Sequence, residues 1–208
     1  MAVAAAPGVL AAGDDRGEAG LWDRDGRRLG GWRLRGAVAW ADVDGTIERT
    51  RAAFVSAGGE AIVVSGNRSP LQVALRPGDR VLLDRLTAGF YVVTPATGDV
   101  VVHDALGSPT RRFVAPAPVY SAIAVPRTGG IATTTREGVF GRFTPWGALS
   151  WGGDYRRYTG GLAVDPGGEM LVVSFLAHGA EVLHPSTGGR LGVLDLGRAV
   201  ECAAVSST

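Results

Sequence analysis

The stretch AVAWADVDGTIERT, residues 37–50, sets Asp42 and Asp44 two positions apart behind an apolar run and ahead of Gly45 and Thr46. Two carboxylates so spaced can hold a divalent cation, whose charge polarises a phosphoryl or carbonyl oxygen and lowers the pKa of a bound water. Other side chains could take part in such chemistry. Those that also enter are the three histidines His103, His178 and His184, the carboxylate Glu201 and the single Cys202. All 21 basic residues are arginine, which excludes a Schiff-base lysine and a phosphate-loop lysine. One cysteine excludes an intrachain disulfide and a cysteine-built zinc site, and it suits a reducing compartment.

The segment AWADVDGT resembles the opening motif of the haloacid dehalogenase phosphatases. That resemblance implies Asp42 as nucleophile, Asp44 as general acid/base and Mg²⁺ between them. Such a family also wants a strand ending in Ser or Thr, which AIVVSGN supplies at Ser65, and a later acidic motif, loosely matched by GDRVLLD from Gly78. The lysine of its third motif has no counterpart. These enzymes alternate strands with helices, whereas residues after Thr94 show short strands and turn signals without a helical period. Asp42–Gly45 therefore reads as a strand running into an acidic turn. The alternation of acids stops after two aspartates, too soon for a calcium loop.

The elements that position these residues come from an internal repeat. GEAGLWDRDG from Gly17, GDVVVHDALG from Gly98, GVFGRFTPWG from Gly138 and GAEVLHPSTG from Gly179 each hold a Gly, a large ring five residues on, and a second Gly four residues later. A degenerate copy, EAIVVSGNRS from Glu60, puts Ser65 in the large slot and has neither glycine. The slot falls at Trp22, Ser65, His103, Phe143 and His184, with spacings of 43, 38, 40 and 41 residues. Strand-forming runs such as VLAAGD, FYVVT and MLVVSF precede the first Gly, and RRLGGWRL, LQVAL, SPTRRFV, ALSWGG and RLGVLDLG follow the second. Upstream lies a small-residue strand, seen in SAIAVPRTGG, GGLAVDPGG and ECAAVSST, with Val125, Val164 and Val205 in register.

Four antiparallel strands in every forty or so residues, with small inner strands and arginine-bearing outer ones, describe an all-β chain, a β-propeller of four-stranded antiparallel blades. Arg27-Arg28 and Arg111-Arg112 fall on expected edge strands, where charge discourages edge-to-edge pairing. GLWDRDG resembles the strand end of a WD40 repeat, and VVHDALG and VLHPSTGG resemble the looser bacterial WD40-like and YVTN-type propellers. One β-propeller domain is expected over residues 1–208, its five recognisable blades at about 1–36, 37–78, 79–116, 117–156 and 157–198. Residues 199–208 are expected to close the ring or to begin a further blade of a longer propeller.

This frame bears on chemistry. His103 and His184 occupy equivalent positions of separate repeats, so they should point apart and pack between blades instead of sharing a zinc ion. Propeller lactonases hold a divalent metal at the axis with Glu, Asp and Asn from several inner strands. Here the inner strands are mostly Ala and Val, with Asn67 the one asparagine and Glu201 the one axial candidate. No catalytic residue, metal or cofactor is expected, and a metal-dependent hydrolase stands as the alternative reading.

The net charge of +1 is spread along the chain, so neither nucleic acid nor a membrane is an expected partner. MAVAAAPGVLAAGDD lacks the basic start of a secretory signal and reads as strand, and the cytoplasm is the expected location. The hairpin turns and the loops entering each blade should share one face. On it fall Asp15, Arg16, Arg136, Glu137, His178 and the segment Tyr155, Arg156, Arg157, Tyr158. Arg and Tyr are favoured at protein interfaces, so the expected function is a non-catalytic scaffold for protein partners.

Overall fold

The computed structural model describes residues 1–45, 49–66, 68–177 and 179–200. Among them are twenty strands and no α-helix, so the all-β expectation holds. The strands form five four-stranded antiparallel sheets, each a meander in chain order. The first contains β1 (Ala2–Ala6), β2 (Val9–Gly13), β3 (Glu18–Asp23) and β4 (Arg28–Arg33). In the second are β5 (Val38–Asp44), β6 (Arg51–Ser56), β7 (Glu60–Ser65) and β8 (Leu71–Ala74). The third holds β9 (Arg80–Leu83), β10 (Phe90–Thr94), β11 (Asp99–His103) and β12 (Pro109–Val114). The fourth is built from β13 (Ser121–Ala124), β14 (Ile131–Thr134), β15 (Val139–Phe143) and β16 (Leu149–Asp154). The fifth comprises β17 (Thr159–Val164), β18 (Leu171–Phe175), β19 (Gly179–Leu183) and β20 (Arg190–Leu194).

The chain divides into two compact units, Met1–Leu83 with Ala88–Thr94 and Val102–Thr110, and Asp84–Thr87 with Pro95–Val101 and Arg111–Thr208. In the first unit Ala2, Val9, Ala11, Ala19 and Leu21 pack against Val38, Val43, Ala52, Phe54 and Ile62. The small side chains of the first sheet let the second come close. A Cβ at Gly13 would lie 2.6 Å from Val38. In the second unit Val125 and Ala132 meet Leu171, Val173, Phe175 and Leu183, with Phe140, Trp151 and Tyr155 filling the remaining space.

The repeat needs one correction. Glu60 is not the position that answers to Gly17. Gly59 is, with φ +87° against +83° at Gly17. The carbonyl of each accepts the N–H sixteen or seventeen residues on, Gly17 from Leu34 at 2.9 Å and Gly59 from Leu75 at 2.7 Å. A Cβ at either would press on the carbonyl oxygen of that same residue, at 2.4 and 2.5 Å. The first glycine is thus kept in the degenerate copy, one residue earlier, and the slot residue becomes buried Val64 in place of Ser65. Expectations for Thr46, Asn67, His178 and residues 201–208, including Glu201, Cys202, Val205 and most of the closing strand, lie outside the described residues.

Candidate functional site

Asp42 sits on β5, buried, and its carboxylate accepts the N–H of Leu83 on β9 at 2.8 Å and that of Val43 at 2.9 Å. Trp40 reinforces the same junction, its indole N–H donating to the Val81 carbonyl at 2.9 Å. Asp44 meets the guanidinium of Arg51 at 2.6 Å, and Arg51 also donates to the Gly89 carbonyl at 3.2 Å. Both carboxylates are therefore fastening strands together. The layered β/α frame that the phosphatase resemblance required is not the frame these residues build.

The histidines are equally local. His103 stacks on Phe90 with ring centres 4.8 Å apart, and its Nδ1 lies 2.9 Å from the Gly107 carbonyl oxygen. That stacking is on a strand of its own sheet. His184 turns Nδ1 onto Ser186, 2.9 Å from the hydroxyl, closing the hairpin before β20. Among the described residues no group of three His, Cys, Asp or Glu side chains is placed to share one metal ion.

The loop-face residues fall in both units. In the first, Asp15 and Arg16 are exposed at the tip of the β2–β3 turn. The turn itself is held by Asp14, whose carboxylate accepts the N–H groups of Arg16 and Glu18 at 2.9 and 2.8 Å. In the second unit, Arg136 and Glu137 are exposed at the tip of the β14–β15 turn, and the β16–β17 connection is stitched to that turn. Tyr155 donates its N–H to the Gly138 carbonyl at 3.1 Å and Thr159 donates its N–H to the Arg136 carbonyl at 3.0 Å. Leu176, after β18, donates to the Tyr158 carbonyl at 2.9 Å. Backbone bonds thus bring Arg136, Glu137 and Tyr155–Tyr158 onto one rigid surface.

Within that surface the side chains divide. Tyr155 is half-buried, stacked on Phe140 at 4.7 Å and edge-on to Phe175 at 4.8 Å. Burial, then the charge of Glu181 and a hydrogen bond to it, push the Tyr155 phenol well above its ordinary pKa, against a smaller lowering by Arg190. Arg156, Arg157 and Tyr158 are exposed, Tyr158 to 63%. Arg156 adopts φ +50°, a conformation that costs a residue with a Cβ about 1–2 kcal/mol, and its N–H is held by the Asp154 carboxylate at 2.7 Å. The guanidinium of Arg136 lies 5.5 Å over the ring of Tyr120. Tyr120 is a member of this surface that the hairpin pattern did not pick out, since it precedes a strand instead of sitting in a turn.

No family model matches the sequence, and no curated protein does. Among solved structures the chain is similar to the β-propeller domain of Cps50 (Swd1) from Myceliophteria thermophila, with a TM-score of 0.72 at 14% identity. The likeness covers 99% of this chain and 74% of that one. Five four-stranded meanders and this match together show the β-propeller fold.

Proposed function

We propose that the chain is a non-catalytic propeller scaffold that binds protein partners through the surface formed by the β14–β15 turn and the β16–β17 connection. The observation that carries this reading is the exposed Arg156-Arg157-Tyr158 run on a connection pinned from both sides by backbone hydrogen bonds, with Arg156 held at positive φ. Strain of this kind persists where surrounding structure over-determines it, and it clusters at binding sites. Three exposed guanidiniums, those of Arg136, Arg156 and Arg157, beside Glu137 and Tyr158, favour a partner that presents carboxylates to a rigid, aromatic-bearing face. Asp15 and Arg16 offer a second, smaller contact in the first unit.

The repeat segments support a place among the WD40-like or YVTN-type bacterial propellers, and a cytoplasmic location agrees with their composition. Among the described residues no helix is long and apolar enough to cross a membrane. The experiment is quantitative capture of interacting proteins on immobilised chain, wild type against Arg156→Ala/Tyr158→Ala. Loss of the specifically captured set with the fold intact supports the reading, and an unchanged set removes this surface from the function.

A further inference from the structure

The outer strands of the sheets do not guard their edges alike. β4 begins and ends in arginine, β12 carries Arg111 and Arg112, and β8 is only four residues long. Charge and brevity are the usual protections of an exposed edge. β16 (Leu149–Asp154) and β20 (Arg190–Leu194) each carry charge at one end only and none through the middle. In β20 and just after it, Leu191, Val193, Leu194 and Leu196 are 57%, 55%, 51% and 53% exposed. β20 is last in the order of its sheet, and no described strand pairs with its outer side. Its outward N–H and C=O groups are a template for another strand.

The sequence around it, Arg190-Leu-Gly-Val-Leu-Asp195, is charged positively at one end and negatively at the other, with an apolar centre. Antiparallel to itself, such a strand sets opposite charges together. The pairing with β19 fixes the faces. Leu183 lies opposite Arg190 and Val182 opposite Gly192, so the strand bulges at Leu191. Glu181 lies opposite Val193. Leu183 and Glu181 share one face of β19, because side chains alternate, and so Arg190, Val193 and Asp195 share one face of the edge.

We propose that β20 pairs antiparallel with β20 of a second copy of this chain, about a two-fold axis at Val193. Val193 then faces its own counterpart, Gly192 faces Leu194 of the second copy, and the Arg190–Leu191 bulge faces the second copy's Asp195. Two Arg–Asp pairs flank the apolar centre, and the contact, being the same patch on both chains, closes at two. The contact uses none of Arg136, Arg156, Arg157 or Tyr158.

Sedimentation velocity of the 208-residue chain between about 5 and 500 µM tests this. The expected result is a reversible dimer that weakens as salt screens the end pairs. Val193→Lys abolishes it with the melting temperature unchanged, and Asp195→Arg weakens it about tenfold. Arg190 also acts on the Tyr155 phenol, so Arg190→Asp alone serves only as the control for the mixture. Arg190→Asp and Asp195→Arg chains combined restore both opposite-charge pairs and associate more tightly than either does alone. A monomer throughout the range, growth beyond a dimer, or a dimer indifferent to Val193→Lys overturns the proposal.

Discussion

Asp42 shows how a motif that spells chemistry can be spent on architecture. Its two carboxylate oxygens receive separate backbone N–H groups, from Val43 and from Leu83 41 residues later, in a buried place between strands. Removing the acceptor strands those donors in the interior, which costs about 1–3 kcal/mol for each buried group left unpaired. Asp42→Ala is therefore expected to lower stability by about 2–4 kcal/mol in urea titration, and Asp42→Asn, which keeps one acceptor oxygen, by less. Tyr155 makes a different prediction. With its pKa raised in the fold, the unfolded chain gives up that proton first as pH rises. The stability it lends is whole below about pH 10 and is lost as pH climbs beyond that, because the unfolded phenol titrates near there. Urea midpoints at about pH 8 and about pH 11 should differ less in Tyr155→Phe, which keeps the ring contacts and lacks the ionising proton.

At the level of the element, the glycines of two hairpins differ in what they contribute. Gly59 needs both its positive φ and its missing Cβ, because the Leu75 carbonyl oxygen occupies the space a Cβ would fill. Gly26 has φ +80° and nothing within 4 Å of that point. Alanine at Gly26 should thus cost only the backbone strain, about 1 kcal/mol, while Gly59→Ala should cost about 3 kcal/mol or more, read as thermal midpoints of the two variants. Equal losses would mean that the close approach to Leu75 relaxes freely. The joints between neighbouring sheets follow the same repeat. Asp42 reaches Leu83, Trp40 reaches Val81 and Ser121 accepts from Leu162, each across 41 residues. The sequence period is the distance at which one inner strand can hold the next.

For the whole molecule, function rests on what the repeat leaves exposed. The connection from Tyr155 to Tyr158 is held by backbone groups, so its outward side chains contribute little to folding. Arg156→Ala/Tyr158→Ala is expected to keep stability within about 0.5 kcal/mol of wild type while capture of partners falls, a separation that a structural role would not give. Tyr155 belongs to the same segment and would not separate in this way, since its ring is packed on Phe140 and Phe175. The run DYRRYTGG gave no sign of which tyrosine turned inward. Both are flanked by polar residues, and the choice follows from the aromatic pocket that β15 and β18 build from distant parts of the chain.

By itself the sequence determined the all-β class, four strands to a repeat and the glycine punctuation, because these follow from local demands. Strands alternate, hairpins need residues that tolerate positive φ, and a period of forty residues returns the chain to the next sheet. Its one misreading of the repeat, at Glu60, was a slip of one residue, which a turn tolerates and a pattern match does not forgive. Tertiary structure alone decided what Asp42, Asp44, His103 and Tyr155 do. Asp42, His103 and Tyr155 have partners that are remote or that are backbone atoms no side-chain pattern records, and Asp44 meets Arg51 because β6 turns back beside β5. A carboxylate that could have held a metal was assigned its work by the strand that came to lie beside it.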